Sequence, residues 1–170
     1  EIAKQIARYV LLVLLQVLVF NNYAFLGYMN PYIYLIFLLY LPTSISRTSI
    51  LILSFCLGLS IDLFENTGGI HTSATLVIGF IRPFLLKAVS RRQGNDLENI
   101  SLKNMALPNM LIYTSAAVVI HHFLMFWLEE FSFNNFGIVL LRTLYSSIFT
   151  LVFVIVIQFG ILGEENSSCN

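Results

Sequence analysis

Residues 9–19 read YVLLVLLQVLV, and residues 151–157 read LVFVIVI. Both stretches are apolar almost without interruption, and neither alternates between apolar and polar side chains. In lipid every backbone N–H and C=O group must be paired within the protein, so only helices and closed barrels cross a bilayer. Barrel strands alternate with a period of two residues. The two stretches therefore predict an all-α protein that lies in a membrane.

The composition of the whole chain points to the same environment. Hydrophobic residues make up 58% of the 170 residues and charged residues only 11%, and the mean hydropathy is +0.83. Soluble proteins carry roughly 25% charged residues. Nine basic and nine acidic residues give a net charge of zero, which argues against a nucleic-acid partner. The solvent that this composition predicts is the lipid bilayer.

The charge-free stretches predict six transmembrane helices in a single domain that covers residues 1–170. One crossing needs about 20 mostly apolar residues. The predicted helices lie at about residues 6–26, 31–46, 48–64, 72–86, 107–128 and 143–163. Residues 131–141 are apolar but short, and they predict an interfacial segment rather than a crossing.

The positive-inside rule predicts that both termini lie in the cytoplasm, because Lys and Arg gather in cytoplasmic connections. Six crossings with a cytoplasmic start leave only Arg142 outside. The basic residues placed inside are Lys4, Arg8, Arg47, Arg82, Lys87, Arg91, Arg92 and Lys103. The acidic residues placed outside are Asp62, Glu65, Glu129 and Glu130. The polar loop at residues 87–103 is typical of a solvated connection that contacts lipid headgroups or a cytoplasmic protein.

Catalytic and metal-binding motifs are absent from the sequence, which contains no HExxH, GxSxG or Walker-type pattern. His121 and His122 are neighbours, and neighbouring side chains on a helix point about 100° apart, so they cannot face one metal. We expect one to pack against a neighbouring helix and the other to reach the outer interface. An intramembrane enzyme would have only this pair and Asp62 to use. We expect no catalytic residue, no cofactor and no metal.

A polar, glycine-rich stretch between helices three and four is the candidate site. Its members are Gly58, Asp62, Glu65, Gly68, Gly69 and His71. A carboxylate near the end of an apolar helix is costly unless it is paired, so Asp62 is a functional candidate. Its expected partners are His71, the hydroxyls of Thr67 and Thr72, or free N–H groups at the start of helix four. Asp62 then either clamps this turn or handles a proton or a substrate.

Two further features concern how helices three and four are placed. Gly58 and Ser54 lie four residues apart on one helix face, which permits a close approach of another helix. Arg82 precedes Pro83, and we expect this pair to close helix four on the cytoplasmic side. The guanidinium of Arg82 would then reach lipid headgroups or a partner protein.

Several short segments together resemble the MreD family of rod shape-determining membrane proteins. They are Asn30-Pro31-Tyr32, Leu41-Pro42, Gly58-Leu59-Ser60-Ile61-Asp62-Leu63-Phe64, Gly69-Ile70-His71 and Arg82-Pro83. The resemblance covers most of residues 30–83, and chain length and predicted topology agree with it throughout. It implies that a structural or partner-binding motif is formed by Gly58, Asp62, Gly69, His71, Arg82 and Pro83.

The resemblance implies a function as well. MreD-like proteins are non-enzymatic scaffold subunits of the bacterial cell-elongation complex in the cytoplasmic (inner) membrane. Their expected partners are MreC, the glycosyltransferase RodA, a class B penicillin-binding protein and the actin-like MreB. The family is also similar in helix arrangement to the S components of energy-coupling-factor transporters. The alternative is therefore a vitamin-binding S component. Aromatic and polar side chains would line its outer cavity.

Overall fold

The computed structural model of the chain describes residues 2–22, 30–92, 105–131 and 135–167. Within these ranges all regular secondary structure is helical. Its elements are α1 (Ile2–Leu18), a short 3-10 helix (Phe20–Asn22), α2 (Leu35–Leu39), α3 (Arg47–Glu65), α4 (Ile70–Arg92), α5 (Leu107–Glu130) and α6 (Phe136–Ser167). The predicted all-α fold is confirmed for the described part of the chain.

Four of the described helices are long and apolar enough to cross a membrane. They are Arg47–Glu65, Ile70–Ser90, Leu107–Glu130 and Phe136–Ile157. In the most apolar 18-residue stretch of each helix, only 33% to 44% is buried inside the protein. The remaining apolar side chains face outward, as they do in a bundle whose surroundings are lipid.

The prediction of a helix at residues 31–46 is wrong. Only Leu35–Leu39 is α-helical, and that helix has five residues. We call residues 31–41 the central segment, because all of them except Tyr40 are buried among the other helices. Irregular backbone is tolerated at membrane depth only where protein surrounds it. Hydropathy predicted a transmembrane helix here because an interior segment and a membrane helix are equally apolar.

Several other helix boundaries differ from the predictions. Helix α1 begins at Ile2 and ends at Leu18 rather than covering residues 6–26, whose last part lies outside the described residues. Helix α6 begins at Phe136, so much of the predicted interfacial segment at 131–141 belongs to its first turns. The backbone carbonyl of Asn135 accepts the amide of Ile138 at 2.9 Å, which starts this helix. The predicted interfacial segment is therefore wrong from Phe136 onward.

The charge of Arg142 had suggested that the last helix begins after it. The guanidinium instead lies 3.0 Å from the carboxylate of Glu129 and over the ring of Phe126, both on α5. With its charge paired, Arg142 is accommodated within α6. The prediction that helix six starts at residue 143 failed for this reason.

Neighbouring helices run in opposite directions along the central segment. His71 on α4 and His121 on α5 both bond to Tyr34, whereas Arg82 and Tyr113 both reach Leu39. Helices α4 and α5 are therefore antiparallel, and the central segment runs between them. We call the end of the bundle that carries Glu65 and Glu129 the acidic end, and the end that carries Arg47 and Lys87 the basic end.

Candidate functional site

Asp62 lies near the end of α3 and accepts hydrogen bonds from the beginning of α4. Its Oδ2 accepts the backbone N–H of Thr72 at 2.8 Å and the Thr72 hydroxyl at 2.5 Å. Its Oδ1 accepts the backbone N–H of His71 at 3.0 Å and the hydroxyl of Thr67 at 2.5 Å. The first amides of a helix have no intrahelical partner, and a carboxylate there also offsets the positive end of the helix dipole. Asp62 thus caps α4 from the preceding helix.

The turn that brings Asp62 to α4 depends on left-handed backbone. Asn66 ends α3 with φ of 56°, and Gly68 and Gly69 follow with φ of 63° and 100°. Glycine adopts these angles without the clash that a Cβ atom would cause. The glycine pair therefore reverses the chain within a few residues. Gly69 of the predicted motif acts through its backbone conformation.

Gly58 lies where α3 and α4 are closest. A Cβ atom added to it would overlap the hydroxyl of Thr75 and the backbone of Thr72, whose nitrogen would lie 2.7 Å away. One turn earlier on α3, the side chain of Ser54 lies against Gly79 of α4, where an added Cβ atom would overlap the Ser54 hydroxyl. Small residues on both helices let the two backbones approach, as the sequence had predicted for Gly58 and Ser54.

His71 begins a chain of hydrogen bonds that enters the bundle from the acidic end. Its Nε2 lies 2.8 Å from a carboxylate oxygen of Glu65, and its Nδ1 lies 2.9 Å from the hydroxyl of Tyr34. The same hydroxyl lies 2.9 Å from Nε2 of His121. All these contacts are satisfied when each imidazole Nε2–H donates and the Tyr34 hydroxyl donates to His71. The chain then ends at His121 Nδ1, which has no partner within the described structure.

His122 belongs to a second polar contact in the interior. Its Nε2 lies 3.0 Å from the hydroxyl of Thr150 on α6, and its Nδ1 lies 2.7 Å from the carbonyl oxygen of Val118. The prediction that one of the two histidines reaches the outer interface is wrong, since both His121 and His122 are 0% exposed. They point to different neighbours, and the polar groups of Tyr34 and Thr150 make the burial of both rings possible.

Arg82 is placed differently from the prediction. Helix α4 continues through Pro83 to Arg92, so the Arg82-Pro83 pair does not close it. Arg82 is only 1% exposed, and its guanidinium donates to the carbonyl oxygen of Leu41 and lies 3.5 Å from that of Leu39. Because α2 is so short, these carbonyls lack helical donors. Arg82 therefore holds the end of the central segment and does not extend to lipid headgroups.

Side chains from other helices bind the rest of the central segment. Gln16 on α1 accepts the amide of Ile33 at 2.8 Å and donates to the carbonyl of Pro31 at 3.1 Å. Thr150 accepts the amide of Tyr32 at 3.0 Å. Buried backbone groups are costly when unpaired, so these contacts replace the missing helical bonds. A glutamine within an apolar run was the only sequence signal of this role.

Two open cavities lie at opposite ends of the bundle. The cavity at the acidic end has a volume of about 460 Å³ and is lined by Val17, Leu18, Asn21, Asn30, Phe64 and Glu65. The cavity at the basic end has a volume of about 430 Å³ and includes Arg47, Arg82, Pro83 and Lys87 in its wall. Within the described ranges, no group of three or more His, Cys, Asp or Glu side chains is arranged to hold a metal ion.

The structure places all six residues of the predicted motif on α3, α4 and the turn between them, but at two separate sites. Gly58, Asp62, Gly69 and His71 lie together near the acidic end. Arg82 and Pro83 lie farther along α4, toward the basic end. Sequence reasoning missed Tyr34, which connects His71 to His121, because nothing in an apolar run marks one tyrosine as central.

The chain matches no protein-family model, no curated protein and no solved structure. The fold and the site therefore define only the class of protein to which the chain belongs. The part of the chain that the structure describes is all-α, with four helices able to cross a membrane, and its interior contains an irregular segment held by polar side chains.

Proposed function

We propose that the protein is a non-enzymatic scaffold subunit of the bacterial cell-elongation complex, similar to MreD, in the cytoplasmic membrane. The observation that carries this proposal is the filling of the bundle by the central segment. Residues 33–39 are at most 3% exposed, and they occupy the place where a transporter or an intramembrane enzyme would need open space. This arrangement favours a protein that acts through its outer surface.

The outer surface supports a role in binding membrane helices. A continuous apolar face on α6 is exposed along the helix, with Leu141, Leu144, Ile148, Val152 and Val156 each at least half exposed. Helices associate in lipid through close van der Waals packing and hydrogen bonds rather than through the hydrophobic effect. We infer that an MreC-like partner binds such a lipid-facing surface through its membrane helix. RodA, a class B penicillin-binding protein and MreB would join the same assembly.

The alternative function, a vitamin-binding S component, is favoured by the cavity at the acidic end. Its volume of about 460 Å³ falls within the range of roughly 300–1,000 Å³ that is typical of small-molecule sites. Asn21, Asn30 and Glu65 supply polar groups there. Against it, the interior next to this cavity is occupied by Tyr32 and Tyr34, which are 5% and 0% exposed.

A pull-down from native membranes distinguishes the two functions. The tagged protein is extracted in mild detergent, and co-purified proteins and small molecules are identified by mass spectrometry. A tagged, unrelated membrane protein of similar size serves as the control. The scaffold proposal predicts enrichment of MreC-like protein, RodA and a penicillin-binding protein over this control. Recovery of a pair of ATPases together with a bound vitamin would contradict it and establish the transporter subunit.

A further inference from the structure

The cavity at the basic end has a wall with a strongly positive character. It is lined by Thr43, Ser44, Ile45, Ser46, Arg47, Ile50, Arg82, Pro83, Leu86 and Lys87. Arg47, Arg82 and Lys87 are cations, none of the described residues in this wall is acidic, and hydroxyl side chains come from the segment before α3. A cavity of about 430 Å³ with this lining is suited to an anion.

Arg82 is the most informative residue in the wall. It is 1% exposed, and its Nε has no hydrogen-bond partner among the residues that the structure describes. The ion pairs found in the described ranges, those of His71 with Glu65 and of Arg142 with Glu129, do not include it. The buried guanidinium of Arg82 contacts the carbonyl oxygens of Leu39 and Leu41 and the hydroxyl of Tyr113, none of which is a carboxylate, so a nearby anion would stabilise it.

The start of α3 adds to the positive potential. Arg47 is the first residue of this helix, and Ser46 caps it by accepting the backbone N–H of Ser49 at 3.1 Å. The first amides of a helix and its dipole attract anions. Arg47 and Lys87 are both exposed, so an anion can reach the cavity from outside while Arg82 forms its inner wall.

We propose that this cavity binds a phosphate group, either that of an anionic phospholipid headgroup or a free phosphate anion. Guanidinium groups match phosphate oxygens with paired hydrogen bonds, and basic pockets between membrane helices are suited to lipid headgroups. The bound phosphate contacts Arg47 and Lys87 and balances the charge of Arg82. This site does not depend on the scaffold function.

The test compares the full chain with variants of the two exposed cations. Protein is reconstituted into vesicles of equal parts phosphatidylcholine and phosphatidylglycerol and re-extracted in detergent, and the retained phosphatidylglycerol is measured by native mass spectrometry. The double variant Arg47→Gln and Lys87→Gln should retain at least about tenfold less lipid, which corresponds to about 1.4 kcal/mol. Lys4→Gln is the matched control, since Lys4 is exposed and lies outside the cavity wall.

A second measurement identifies the source of the phosphate. Inorganic phosphate is titrated into the protein in phosphatidylcholine vesicles and followed by calorimetry. Retained phosphatidylglycerol without binding of inorganic phosphate supports a lipid site, and saturable binding of inorganic phosphate that the double variant loses supports a free-anion site. Neither form of binding, or equal binding by the double variant and wild type, would overturn the proposal. Folding of every variant is checked by thermal unfolding.

Discussion

The carboxylate of Asp62 lies 2.8 Å from the backbone nitrogen of Thr72, although the two residues belong to different helices and are ten residues apart in the chain. A helix usually takes its cap from the residue directly before it. Here the glycine turn leaves no side chain in that place, and the preceding helix supplies the cap instead. The orientation of α4 is thereby fixed to that of α3.

Replacing Asp62 with Ala should destabilise the protein by about 2 kcal/mol or more, because two amides and two hydroxyls lose their acceptor. Asp62→Asn keeps one side-chain oxygen and should lose less. Thermal unfolding in detergent measures both. Glu129→Ala is the control, since it removes a surface carboxylate whose ion pair contributes less than about 1 kcal/mol. If Asp62→Ala unfolds like wild type and also supports normal rod shape, Asp62 has no essential role.

Gly58→Ala should cost about 1–3 kcal/mol by forcing α3 and α4 apart, because the new methyl group overlaps Thr72 and Thr75. Gly137→Ala provides a matched comparison, since a Cβ atom at Gly137 of α6 meets nothing within 4 Å. Alanine has the higher helix propensity, so Gly137→Ala should be neutral or slightly stabilising. Equal unfolding temperatures for the two variants would show that the predicted close approach of α3 and α4 is absent.

Arg82→Met should destabilise the protein by about 1–3 kcal/mol, because it removes the side-chain donor from the buried carbonyl of Leu41 and leaves that of Leu39 with the Tyr113 hydroxyl alone. The expected loss concerns the central segment, so protease cleavage within residues 31–41 should increase together with the fall in unfolding temperature. Lys4→Met removes an exposed cation outside the cavity at the basic end and should change neither quantity. A fully stable Arg82→Met variant would mean that this arginine does not hold the central segment.

Tyr34→Phe should cost about 1–3 kcal/mol, since it removes the hydroxyl that His71 and His121 share and leaves polar ring nitrogens unpaired in the interior. Proton NMR of the imidazole N–H groups gives a more specific readout, because signals protected by these hydrogen bonds should broaden or disappear. Tyr145→Phe changes a tyrosine that is 46% exposed and should leave the signals unchanged. Unaltered imidazole signals in Tyr34→Phe would contradict the hydrogen-bond chain.

Sequence reasoning succeeded where the physical requirement was local. An isolated carboxylate at the end of an apolar helix needs partners, and Asp62 has the hydroxyls of Thr67 and Thr72 and the amides at the start of α4, as expected. The close approach at Gly58 could also be predicted from residue size and helical spacing. Both features depend on residues that are near one another in the chain.

The predictions failed where long-range packing decides the conformation. Residues 31–46 are apolar enough for a helix, and side chains from other helices, among them Gln16, Arg82 and Thr150, supply the hydrogen bonds that make an irregular backbone stable there. Arg82 was expected at a membrane surface because a charged side chain is usually found there. Its sequence position does not reveal the backbone carbonyl groups that bind it in the interior. Contacts between residues more than a hundred positions apart, such as Tyr32 with Thr150, leave no pattern in a single sequence.

The scaffold function makes its most direct prediction about an assembly from which this protein has been removed. The measurement is the amount of RodA that co-purifies with a tagged MreC-like protein from native cells, before and after depletion of this protein. The proposal predicts that the recovered RodA falls sharply on depletion and returns when the wild-type chain is expressed again. Recovery of RodA in undiminished amounts from depleted cells would contradict the scaffold function.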